Sequence, residues 1–178
     1  MTDVVLVAPE IATNTGNIIR LCANTGAALH LVRPLGFSME DRLLRRAGLD
    51  YHDLASVTVH DGLDRVLATV GADRRRVAFC TKGSERYDQV GLEPDDVLVF
   101  GAERAGLTPG QLDELDPVKR VHLPMRAGNR SLNLANAVAV VVYEVWRRTG
   151  FAGAADPPAP DPGAGLTSET LLGGPFDG

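Results

Sequence analysis

The sequence predicts an α/β domain with a mainly parallel sheet and helices on both of its faces. Three observations predict it: short β-branched runs recur from residue 4 to residue 123, helix-like stretches separate them, and most of the runs are apolar throughout rather than alternating. Strands covered on both faces lose the polar alternation, so continuous runs fit a sheet sandwiched between helices. A length of 178 residues fits one domain. An apolar share of 44% supplies a core without help from metals or disulfides.

The first strand is read at Val4–Ala8, followed by a loop of small and polar residues at Pro9–Asn17. A helix follows near Thr15–Thr25, with Asn17 placed to cap it and Arg20 about one turn in. Strands at Leu29–Val32 and Val57–His60 flank a helix at Met39–Ala47, and a further helix covers Gly62–Val70. The strand Val77–Thr81 leads into the loop Lys82–Ser84, and the strand Val97–Phe100 into the Gly-rich loop Gly101–Gly106. A short helix at Pro109–Leu115 precedes the strand Val121–Leu123 and a last loop, Pro124–Asn133. The final helix has Asn133 as its N-cap, Arg147 and Arg148 in its last turn, and Gly150 after it. From Ala135 to Val145 it is apolar nearly all round except at Asn136, Tyr143 and Glu144, so it is covered on more than one side. A subunit interface and a central core helix both satisfy that pattern. Residues 1–151 form the domain, and residues 152–178 form an acidic tail rich in Pro, Gly and Ala that is expected to be disordered.

The net charge is −5, but four of the 23 acids lie in that tail, which leaves 19 acids against 18 bases in residues 1–151. Arginines cluster at Arg42, Arg45 and Arg46, and again at Arg74–Arg76. Such clusters can track phosphates, although Arg74–Arg76 alone reads as a solvated face. No apolar run approaches the ~18 residues that cross a bilayer, and the N-terminus has no export signal. Cys22 and Cys80 show no Cys-x-x-Cys spacing, so the expectation is a cytoplasmic protein with two ordinary thiols, no membrane partner and no metal.

Several chemistries drop out. Gly101 to Gly106 has the spacing of a phosphate loop but continues Leu107-Thr108 where Lys and Ser or Thr are required. There is no Gly-x-Gly-x-x-Gly, and Ser84 does not stand in a Gly-x-Ser-x-Gly elbow. His30, His52, His60 and His122 lack metal-ligand spacing. The loops that remain suit a cofactor held through the backbone.

Three motifs carry the case: Asn14-Thr15-Gly16-Asn17-Ile18-Ile19-Arg20, Phe100-Gly101-Ala102-Glu103-Arg104-Ala105-Gly106-Leu107, and Leu123-Pro124-Met125 with Ser131-Leu132-Asn133-Leu134-Ala135-Asn136-Ala137. In this order and spacing the chain resembles the SPOUT superfamily of knotted methyltransferases. Within it, the chain is similar to the small tRNA methyltransferases that modify the 2′-hydroxyl of the wobble cytidine or uridine at position 34. The likeness runs from about Val4 to Gly153 and includes Arg45-Arg46-Ala47-Gly48-Leu49-Asp50-Tyr51-His52 and Thr81-Lys82-Gly83.

The resemblance implies a deep C-terminal trefoil knot, one of the rare exceptions to unknotted folds, and a homodimer acting on the tRNA anticodon stem-loop. It implies S-adenosyl-L-methionine as cofactor, held around Phe79, Gly101, Leu123, Met125, Ser131 and Leu132. Arg20, Glu103 and Asn133 are the implied catalytic set. Arg45, Arg46, Lys82, Arg130 and Tyr143 are the candidate RNA contacts. A guanidinium has no lone pair to take a proton, so Arg20 is expected to stabilise alkoxide charge and grip a phosphate. The second motif departs from relatives that place Arg before the final Gly, because Ala105 stands there. The alternatives are the same reaction on another tRNA site or on rRNA, and a non-catalytic knotted RNA-binding protein. Larger relatives of the first kind carry an extra RNA-binding domain, for which there is no room before Val4.

Overall fold

The computed structural model describes residues 2–39 and 57–155. The predicted helix at Met39–Ala47, the arginines Arg42, Arg45 and Arg46, the Arg45–His52 motif and the tail beyond residue 155 lie outside the described residues, apart from Met39 itself. Among the described residues the strands are β1 (Asp3–Val7), β2 (Ala28–Val32), β3 (Val57–His60), β4 (Arg76–Phe79), β5 (Glu85–Arg86), β6 (Val97–Phe100) and β7 (Val118–His122). The helices are α1 (Ala12–Thr25), α2 (Leu63–Val70), α3 (Pro109–Glu114) and α4 (Leu134–Arg148). All strand pairs are parallel, in the order β3-β2-β1-β6-β4-β7-β5. No helix among the described residues is long and apolar enough to cross a membrane.

Alternation within each strand splits the apolar residues between two cores. Val4, Leu6, Leu29, Leu31, Val77, Leu98, Phe100 and Val121 pack with Ile18, Ile19 and Cys22 of α1 and Val138, Val141, Val142 and Val145 of α4. Val5, Val7, Val32, Val97 and Val99 face the other way, onto Leu63, Val66 and Val70 of α2 and Leu115 after α3. The sheet is therefore covered on both faces, as the unbroken apolar runs predicted. Each such side chain, fully buried, contributes about 1.5–3 kcal/mol.

Several boundaries move. α1 begins at Ala12, with Ile11 as its N-cap and no side-chain cap bond. Asn17 therefore lies inside the helix and exposed, not at its cap, and Arg20 stands a little over two turns in rather than one. With Thr13 and Asn24 these two residues make one exposed stripe. β7 starts three residues earlier than expected because Lys119 and Arg120 break its apolar signal. β5 has no apolar residue at all, which hid it. Asn133 caps α4 as expected, its Oδ1 accepting from Ala135 N at 2.9 Å and Asn136 N at 3.3 Å.

β7 lies between two strands that are close neighbours in sequence. Val121 stands opposite Phe79 of β4 on one side and Glu85 of β5 on the other. Residues 80–84 therefore arch across its carboxyl end, with Cys80 N donating to Val121 O at 2.9 Å and Ser84 N to Arg120 O at 3.1 Å. A methyl group at Gly83 would overlap the Val121 carbonyl, so this crossing needs a glycine.

Buried polar groups form a chain along the α2 face. Asp3 Oδ1 lies 2.8 Å from His30 Nε2, and His30 Nδ1 lies 2.9 Å from His60 Nε2. Arg74 Nη1 donates to Asp3 Oδ2 at 2.5 Å. A neutral His30 that donates to Asp3 accepts the Nε2–H of His60. Burial, and then the neighbouring His30, hold His60 below the usual histidine range, and Asp61 opposes them. Burial works to raise Asp3, but hydrogen bonds from His30 and Arg74 override it and leave the carboxyl low. Both shifts act in the same direction. The unfolded chain takes up a proton at His60 near pH ~6.5 that the folded chain resists. Stability is thus expected to fall as pH drops below ~6.5 towards the folded value, and again below ~3.9 as Asp3 is protonated. Urea unfolding at pH 7.5 and 5.5 checks the first limb, which His60→Gln should flatten.

The run Arg74–Arg76 is not the solvated face its composition indicated. Arg74 is held by Asp3 and Asp95 O, Arg75 by Asp96 and Gly91 O, and Arg76 is 8% exposed. Asp3 at the start of β1 draws Arg74 inwards, and Asp96 before β6 pairs with Arg75 while leaving it exposed, which no reading of the run alone reveals.

Candidate active site

Because the strands are parallel, their carboxyl ends share one edge, and the loops after β1, β4, β6 and β7 all open there. β1 and β6 are neighbours at the point where strand order reverses, the usual place for a ligand crevice in such a sheet. The second motif and the start of the third occupy these loops, and the first motif lies in the opening turns of α1, directly after the loop that follows β1.

The loop after β6 turns tightly. Gly106 N donates to Ala102 O at 2.8 Å, and a methyl group at Gly101 would overlap the backbone of Gly106 and Leu107. The turn projects Glu103 towards the start of α1. Its carboxylate accepts from Glu10 N at 2.7 Å, Ile11 N at 3.2 Å and Asn14 Nδ2 at 3.0 Å. Glu10 returns the contact, its Oε2 accepting from Arg104 N at 3.0 Å. A helix start leaves backbone N–H groups unpaired and favours negative charge. Glu103 supplies across the sheet what Ile11 cannot supply locally, which is why α1 starts without a side-chain cap of its own.

Asn14 then extends the link. Its Oδ1 accepts from Asn133 Nδ2 at 3.0 Å, so Glu103, Asn14 and Asn133 tie the loops after β6, β1 and β7 into one frame. Asn14 is 6% exposed and uses both ends of its amide. Sequence reasoning quoted Asn14 within the first motif but assigned it no role; that membership was its only signal.

The remaining site residues fall into two groups. Phe79 and Phe100 end β4 and β6 side by side, their rings stacked at 4.6 Å, and Gly101 and Leu123 follow the ends of β6 and β7. Met125 and Leu132 are 38% and 43% exposed, apolar groups standing in the open on the third loop with the exposed Ser131 beside them. Within Leu123–Leu132, Asn129 N to Arg126 O at 3.3 Å is the backbone hydrogen bond found among the described residues. Backbone N–H and C=O groups there stay available to a purine edge. Available backbone polar groups with apolar side chains beside them are a fitting donor set for S-adenosylmethionine.

Lys82 and Arg130 are exposed on the same edge. Arg20 stands apart, eight residues beyond Ala12 or about 12 Å along α1. Tyr143 is 47% exposed on α4, nine residues or about 14 Å beyond Leu134, with its ring edge-on to Trp146. It shares an exposed stripe with Asn136 and Val140. Neither thiol is poised for attack: burial pushes Cys22 up to about 12, and burial, opposed by Arg120, also raises Cys80.

Known proteins match this chain in sequence and fold. The family model described as the SpoU rRNA Methylase family matches residues 1–143. A Burkholderia pseudomallei protein named tRNA (cytidine(34)-2′-O)-methyltransferase is 57% identical over 156 residues, which is 87% of this chain and 100% of that one. A solved structure described by the 2-OH methylation of C/U34 on tRNA is 37% identical, with TM-score 0.77, over 85% of this chain and 97% of its own. An AdoMet-bound rRNA methyltransferase from Sinorhizobium meliloti is 26% identical, with TM-score 0.71, over 83% of this chain and 56% of its own. With its parallel sheet, its carboxyl-edge loops and these matches, the chain belongs to the SpoU rRNA Methylase family.

Proposed function

We propose that the protein methylates the ribose 2′-hydroxyl of the wobble nucleotide, cytidine or modified uridine at position 34, in the tRNA anticodon stem-loop. The observation that carries the reading is the Glu103–Asn14–Asn133 chain, which fixes the three loops of one edge against one another. Relatives with the same name at 57% and 54% identity support the substrate class.

S-adenosyl-L-methionine supplies a methyl group already activated by its sulfonium. The chain's own work is to hold that donor and align the ribose oxygen with it. Phe79, Gly101, Leu123, Met125, Ser131 and Leu132 form the binding edge. Glu103 and Asn133 position the loops, and Glu103 has its carboxylate committed to two backbone N–H groups and an amide. Arg20, exposed on α1, is met by the substrate from the solvent side and stabilises the developing alkoxide as a fixed cation. The proton leaves to water or to a substrate phosphate. Lys82 and Arg130 contact phosphates, and Tyr143 contacts RNA.

The working unit in this proposal is a homodimer. Ile11 before α1 and Val140 on α4 are 42% and 41% exposed, apolar surface that a second copy would cover. The arch of residues 80–84 over β7 supports a chain threaded as a trefoil knot. The compartment is the cytoplasm, where its tRNA substrate resides. The test is nucleoside mass spectrometry of tRNA from cells with and without the gene. Loss of 2′-O-methylated position-34 nucleotides is the expected result, and an unchanged profile overturns the proposal.

A further inference from the structure

The run Arg74–Arg76 has no part in the site described above. β4 carries Phe79 at the cofactor edge and Arg76 at the opposite edge, about 10 Å away along the strand. There the turns before β4 and before β7 enclose an open recess of about 650 Å³, lined by Asp73, Arg74, Arg75, Arg76, Pro117 and Lys119 among others. Three of its four cations already have carboxylates: Arg74 on Asp3, Arg75 on Asp96, and Lys119 on Glu85 at 2.8 Å.

Arg76 is the exception. It is 8% exposed, it has no ion pair or side-chain hydrogen bond among the described residues, and its Nε is buried without a partner. Its backbone is fixed between Val97 and Val118 in the sheet, so the side chain cannot leave the recess by a backbone shift. A guanidinium remains charged in any ordinary environment, and a buried charge without a counterion is strongly unfavourable. Asp73 is the one acid lining the recess, and it is exposed.

We infer that this recess is an anion site in which Arg76 takes up a phosphate oxyanion. The planar fork of a guanidinium pairs with two phosphoryl oxygens at once. The partner is either a phosphodiester of bound RNA or a free phosphate or nucleotide; the chemistry at Arg76 is the same for both. The inference does not depend on methyl transfer, because phosphate binding is read without cofactor or turnover.

The test uses the full chain. Thermal unfolding is measured in chloride and in inorganic phosphate at matched ionic strength, with wild type, Arg76→Met and Lys119→Met. Phosphate is expected to raise the wild-type Tm by several degrees. Arg76→Met is expected to melt at or above wild type in chloride, since the unpaired charge is gone, and to ignore phosphate. Lys119→Met, at a half-buried position whose ion pair with Glu85 lies on the other face of the sheet, serves as the control and is expected to keep the phosphate shift. A wild-type Tm that phosphate leaves unmoved, or equal shifts in wild type and Arg76→Met, overturns the inference. Binding of a 2′-unmodified anticodon stem-loop hairpin then identifies the source. If the source is RNA, Arg76→Met weakens binding about tenfold and reduces the salt slope by about 0.7–0.9. Unchanged hairpin binding with the phosphate response intact assigns the site to free phosphate or nucleotide.

Discussion

Arg20→Ala is expected to lower methyl transfer to tRNA by about 10²–10³-fold while S-adenosylmethionine affinity stays within about twofold. The split follows from position. Arg20 lies on the exposed stripe of α1, about 12 Å along the helix from the loops that would hold the cofactor. Its truncation removes none of the Glu103, Asn14 or Asn133 hydrogen bonds. In the proposed mechanism it removes a positive charge that the bound substrate brings to the attacking oxygen, an interaction that strengthens only as the hydroxyl becomes an alkoxide. Arg20→Lys keeps the charge but loses the fork and should recover part of the rate. Methyl incorporation into unmodified tRNA and calorimetric titration of the cofactor measure the two quantities. A rate near that of wild type in Arg20→Ala would remove the arginine from the mechanism.

Glu103→Ala is expected to damage the fold and the activity together. The substitution strands the Glu10 and Ile11 N–H groups and one end of Asn14 in a partly buried frame. Hydrogen bonds to a charged group contribute about 1.5–3 kcal/mol each, less where water can replace them. A net loss of about 2–3 kcal/mol is reasonable for the three, or about 4–12 °C in Tm for a chain of this size. Glu103→Gln keeps one acceptor oxygen and should fall between the two. A carboxylate that served only as a proton carrier would leave Tm unmoved in Glu103→Ala, so thermal unfolding alongside the rate assay separates the roles.

The sheet was legible because its strands are short, β-branched and apolar on both faces, a pattern that helices cannot easily imitate. β5 was hidden because Glu85 and Arg86 carry no burial signal; only their pairing with β7 makes them a strand. The start of α1 was misplaced for a related reason. Local capping rules point to Asn17, whereas the acceptor that stabilises the helix end is Glu103, 92 positions beyond Ile11. The loops of the site could be located from their small residues and their motif order, and Asn133 from its capping position. The bridging role of Asn14 requires two partners 89 and 119 positions away, which no local pattern encodes. Arg76 was misread because a run of three arginines looks uniform until two of them find carboxylates.

The placement of β7 has a consequence for how the protein is made. On the ribosome, β4 and β5 emerge about 40 and about 30 residues ahead of Val118–His122, the segment that pairs with both of them. Until it arrives, the nascent chain holds an open slot, with unpaired backbone on both of its walls. Pairing across such a gap is non-local and slow to form, so the half-built sheet passes through a vulnerable interval late in synthesis. The last strand and α4 then have to arrive while that slot is still open and correctly spaced. Premature closure of β4 onto β5 would lock the newborn chain out of its own native order.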